Sequence, residues 1–129
     1  MRAYVRAVLI AFAALQLVLG VWLTLVPRTF YDHVPTVDWD PPYAEHAFRD
    51  FGAASLGLAI VLIAAAVRLD RFLATLALVA YLAFSVPHTV FHLGHLEPDH
   101  VGWSIVLALS VGLMVVLPLT ALAGTRRMT

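Results

Sequence analysis

Apolar residues run through this chain in four long stretches. They extend from about Ala3 to Val26, Ala44 to Val67, Phe72 to Leu93 and Val101 to Ala123. A hydrocarbon core of about 30 Å takes roughly 20 helical residues to cross, and each stretch meets or nearly meets that length. The connections are short, so little chain remains for a soluble domain. The pattern predicts an all-α polytopic membrane protein: one antiparallel four-transmembrane-helix bundle over residues 1–129, with a loop at 27–43 on the outer side. Composition agrees, since 62% of residues are hydrophobic and mean hydropathy is +0.91, far outside the soluble norm. The first stretch is longer than the roughly 7–15 residues of a signal-peptide core and lacks a clear cleavage site, so it is expected to stay as a span.

Charge then orients the bundle. The chain has eight Arg and no Lys; Arg2, Arg6, Arg68, Arg71, Arg126 and Arg127 fall on one side of a four-span protein, and Arg28 and Arg49 on the other. The positive-inside rule places both termini in the cytoplasm, and anionic lipid favours a basic cytoplasmic face. Of the acids only Asp70 is then cytoplasmic. Asp32, Asp38, Asp40, Glu45, Asp50, Glu97 and Asp99 lie outside, with His33, His46, His95 and His100, while His88 and His92 lie slightly deeper. Any chemistry belongs to the outer end. The chain has no cysteine, which excludes disulfides, zinc–thiolate sites and iron–sulfur clusters. Nothing in it suggests nucleic acid as a partner; membrane lipid and a small or lipid-soluble substrate are the expected ones.

The first outer loop holds Pro27, Pro35, Pro41 and Pro42 among Phe30, Tyr31, Trp39 and Tyr43. Proline at this density argues against helix, and the rings suit the headgroup region. The expectation is an irregular segment, either a lid over the outer end or an interfacial linker whose rings anchor it in the membrane. Gly52, Ala53, Ser55 and Gly57 in the second span allow close approach of another helix, and a homo-oligomer is also compatible with such faces.

Chemistry is suggested by Pro87-His88-Thr-Val-Phe-His92-Leu-Gly-His95. Offsets of four and seven align the three histidines on one helical stripe. Ionisable groups at membrane depth are costly without a partner or a task. The second span opens with Glu45, His46, Arg49 and Asp50, and a short turn makes spans two and three antiparallel neighbours, so these residues are expected level with the histidines. The leading expectation is a metal centre of His88, His92, His95, His46, Glu45 and Asp50. It would hold a divalent transition metal (zinc, copper or iron) and could serve a metalloenzyme acting on a small or lipid-soluble substrate. Arg49 would orient a carboxylate or bind an anion, and Arg49 with Asp50 forms the candidate catalytic pair.

Alternatives stay open. One is metal-free acid–base chemistry of the isomerase or cyclase type on a lipid-soluble substrate. Others are bis-histidine haem ligation and a merely structural His/acid cluster. Transport is disfavoured, because Gln16, Thr24, Thr75 and Ser110 form no continuous polar path.

The segments Glu45-His46-x-x-Arg49-Asp50-x-Gly52 and Pro87-His88-x-x-x-His92-x-x-His95-Leu resemble those of small four-span actinobacterial membrane proteins without an assigned function. Size and span count are also similar to DoxX-like membrane proteins. The resemblance implies a bacterial plasma-membrane location and transfers no functional residue.

Overall fold

The fold was obtained as a computed structural model that describes residues 1–39 and 42–128. Asp40 and Pro41, two residues of the expected lid or linker, lie outside the described residues. Helix α1 spans Arg2–Leu25, α2 Pro27–His33, α3 Glu45–Arg68, α4 Arg71–Leu93 and α5 Val101–Thr125, with a single 3₁₀ turn at Pro98–His100. Helices α1, α3, α4 and α5 are each long and apolar enough to cross a membrane. At about 1.5 Å per residue, a 24-residue helix such as α1 reaches about 36 Å, enough for a hydrocarbon core of about 30 Å. Their outward faces are strongly apolar, with Ile60 68%, Val67 73%, Phe72 76% and Leu109 64% exposed. So much exposed apolar surface suits lipid and not water. The protein is a multi-pass helical bundle.

Local sequence explains the helix ends. Asp70 caps α4 by accepting a 2.9 Å hydrogen bond from the Leu73 amide, while Leu69 adopts a left-handed conformation to close α3. Losing such a cap costs about 1 kcal/mol. Asp70→Ala is therefore expected to lower the unfolding free energy by about that amount, measurable by denaturant titration in mixed micelles. Helix α4 continues through Pro87 and α5 through Pro118.

Proline does not keep the first loop irregular. Pro27 occupies the first turn of α2, where its missing N–H has no helical partner to lose. The pair Arg28–Asp32, 2.9 Å apart, supports the same helix. That hydrogen bond also raises the Arg28 pKa above its ordinary value.

Packing is uneven. The α1–α3 and α4–α5 pairs share far more surface than α3 and α4 do. Gly20 and Gly52 bring α1 and α3 together: a Cβ on Gly20 would stand 2.9 Å from the Leu56 amide nitrogen, and one on Gly52 2.7 Å from that of Thr24. The hydrophobic core lies in the half of the bundle that carries the six clustered arginines. It comprises Val5 to Ala13 of α1, Leu62 to Ala66 of α3 with Leu69 beyond it, Ala74 to Tyr81 of α4, and Ala121 and Met128. At this basic end Arg2 donates to the Leu69 carbonyl at 3.1 Å, and Tyr4 and Thr120 share a 2.6 Å hydrogen bond. The core closes one half of the bundle with apolar side chains. The other half is built differently.

Candidate functional site

The stripe of histidines on α4 begins deeper than the histidines themselves. Tyr81, Ser85, His88, His92 and His95 follow one another at steps of four and three, which keeps them on one helical face. Tyr81 and Ser85 are fully buried; His88 and His92 are half-buried and His95 is exposed. From Tyr81 to His92 the stripe climbs about 16 Å along the axis. Aromatic neighbours hold it in place. The ring of Phe84 lies 5.5 Å from Phe51 of α3 and 5.1 Å from His88. His88 and His92 meet edge to face at 4.5 Å.

Buried polar groups from two other helices join the stripe. Gln16 of α1 is 1% and Ser55 of α3 2% exposed, and the Gln16 side chain lies beside the Tyr81 hydroxyl. Phe12 packs on the same tyrosine at 4.6 Å. Beyond that Gln16–Tyr81 contact, the buried polar atoms Gln16 Nε2, Thr24 Oγ1, Ser55 Oγ, Tyr81 OH and Ser85 Oγ have no hydrogen-bond partner among the described residues. Thr89 differs, since its hydroxyl donates to the Val111 carbonyl at 2.9 Å and ties α4 to α5. In the histidine half, then, incompletely paired polar groups share the bundle interior with buried apolar side chains such as Leu23, and they end at Tyr81 where the hydrophobic core begins.

The expected metal centre does not form. Among the described residues, no group of three or more His, Asp or Glu side chains is placed to hold a metal ion. This overturns the proposed ligand set of His88, His92, His95, His46, Glu45 and Asp50, although His88 and His92 do meet. The reason is the rotation of α3. In its first turns Phe48 and Arg49, with Glu45 paired to it, turn toward α1 and α2, and the residue that meets α4 is Phe51, which has no ligating atom. Arg49 donates to the Thr24 carbonyl and pairs with Glu45 at 2.9 Å. Phe48 enters an aromatic cluster with Phe30, Tyr31 and Tyr43. His46 and Asp50 pair with each other at 3.2 Å on a surface where their side chains are 91% and 66% exposed. On α4, His95 stacks on Phe91 at 4.1 Å with Nδ1 2.7 Å from the Phe91 carbonyl.

Two loop histidines have local roles. His33 Nδ1 lies 2.9 Å from the Thr29 carbonyl within α2. His100 stacks under Trp39 with ring centroids 5.8 Å apart and planes 15° from parallel, so the first loop reaches the α4–α5 connection.

Spacing held a signal for Tyr81 and Ser85, which extend the histidine stripe backward by the same steps. No comparable signal marked Gln16 and Ser55, because neither has a polar residue three or four positions away on its own helical face. No protein-family model, curated protein or solved structure matches this chain.

Proposed function

We propose that this protein sits in a bacterial plasma membrane with both termini in the cytoplasm. There it binds a lipid-soluble molecule in the outer half of its bundle and exchanges protons with it through His88 and His92. One observation carries this reading: the histidine half holds several buried polar atoms left incompletely paired, while the other half is closed by hydrophobic side chains. We read that interior as a binding recess floored by the hydrophobic core and not as a path across the membrane. The six arginines at the floor end support the orientation through the positive-inside rule.

Imidazole suits the proton step because a neutral ring carries an N–H donor on one nitrogen and an acceptor lone pair on the other. Two rings in edge contact can divide the roles of proton donor and acceptor. Asp50 and Arg49 take no part in this scheme, being paired with His46 and Glu45. An amphiphile could place its polar end beside the histidines and leave its tail in lipid between α3 and α4, the less extensive of the helix seams around them.

Solvent extraction of the purified protein followed by mass spectrometry tests the reading. The wild type is expected to retain one lipid-soluble species near stoichiometry, and the His88→Ala/His92→Ala variant at least tenfold less. Equal retention, or nothing beyond bulk phospholipid in either protein, would overturn it.

A further inference from the structure

The deepest polar groups identify what this recess recognises. Resting on the reading above, we propose that Gln16 and Tyr81, with Ser85 one turn along the same face of α4, bind the oxygen of a neutral carbonyl compound of the long-chain ketone or aldehyde class, deeper than the histidines. All three side chains are at most 1% exposed, and beyond the Gln16–Tyr81 contact itself the Gln16 amide nitrogen and both hydroxyls lack partners among the described residues. An amide nitrogen can only donate, and a hydroxyl donates one hydrogen. The cluster therefore holds several unused donors around the Gln16–Tyr81 contact. In hydrocarbon an unused donor gains most from an acceptor, because water is not there to take its place.

The chemistry of the ligand follows by elimination. A cation brings no lone pair for these donors. A carboxylate or phosphate would carry a charge to mid-bundle, where the cost is severe without a counter-ion. The nearest candidate, Arg49, is held by Glu45 and the Thr24 carbonyl. A carbonyl oxygen is neutral, has two lone pairs and brings no proton that needs an acceptor. Depth separates it from bulk lipid. Tyr81 lies ten residues into α4, about 15 Å along the helix and close to its middle, whereas phospholipid esters sit at the membrane interface. Access is lateral, along the α3–α4 seam that Phe51 and Phe84 line.

The test is equilibrium binding of 2-dodecanone to the full chain in lipid nanodiscs, with dodecane as the comparator that lacks a carbonyl. Saturable ketone binding is expected, with dodecane at least tenfold weaker. Tyr81→Phe and Gln16→Leu should each weaken the ketone about tenfold and leave dodecane unchanged; both variants keep side-chain volume and remove only polar atoms. Ketone binding that is saturable but insensitive to both variants overturns this inference. If it also depends on His88 and His92, the polar end lies at the histidines and the broader reading stands. Equal affinity for ketone and dodecane likewise overturns the carbonyl proposal alone. Absence of saturable binding by either probe, together with no retained species in the extraction experiment, overturns both.

Discussion

Gly52→Ala is expected to force α1 and α3 apart and to cause the largest loss of stability of any single methyl addition in the bundle. The added Cβ would stand 2.7 Å from both the amide nitrogen and the hydroxyl of Thr24, and 2.9 Å from the Leu23 Cβ. None of these is the far end of a flexible side chain, so relief requires a shift of the helix itself. Overpacking of this kind costs about 1–3 kcal/mol. Gly20→Ala should cost less, because two of its three closest contacts are to the Leu56 side chain, which can change rotamer. Gly57→Ala is the control, since nothing lies within 4 Å of that position. Reversible unfolding of the three variants in mixed micelles measures the order. An unchanged midpoint for Gly52→Ala would show that the α1–α3 approach is looser than described. The consequence extends to the site: this contact fixes the rotation of α3, which turns Glu45 and Arg49 away from α4.

The Gln16→Leu/Tyr81→Phe double variant should move stability in the opposite direction. Both residues place unpartnered polar atoms in a fully buried position, and an unsatisfied buried group costs about 1–3 kcal/mol. Hydrogen bonds between membrane helices average only about 0.6 kcal/mol, so little is lost if a weak Gln16–Tyr81 interaction disappears. The expected result is a gain of about 1–3 kcal/mol for the pair, read from the same unfolding titration without added ketone. A loss of similar size would mean that these groups are satisfied within the folded bundle. The interior would then be a structural network with no capacity left for a ligand. A stabilised variant that no longer binds the ketone is the signature of a functional site held at the expense of stability.

Different parts of the site were legible to different degrees. The α4 stripe follows from spacing alone, because side chains three and four apart share a face of any helix. His88 and His92 do meet. Their expected ligand partners on α3 do not join them, although Glu45, His46 and Asp50 begin an adjacent antiparallel helix. Sequence proximity of the two spans established a common depth but not a common face. Two close i,i+4 pairs, Glu45–Arg49 and His46–Asp50, instead satisfy those charges within α3 itself. The short helix α2 was obscured by the prolines of the first loop, of which Pro27 sits in the first helical turn, where it is tolerated.

Sequence by itself determined the all-α class and the four long apolar helices. In lipid each span must satisfy its own backbone hydrogen bonds, so length and apolarity, both local properties, suffice to define it. Only the tertiary structure decided which faces meet. Each residue advances a helix by about 100°, so one full turn of choices is open to every span. Here the choice was made by Gly20 and Gly52 seating α3 against α1, which dispersed the expected metal ligands and enclosed Gln16, Ser55, Tyr81 and Ser85 in the interior.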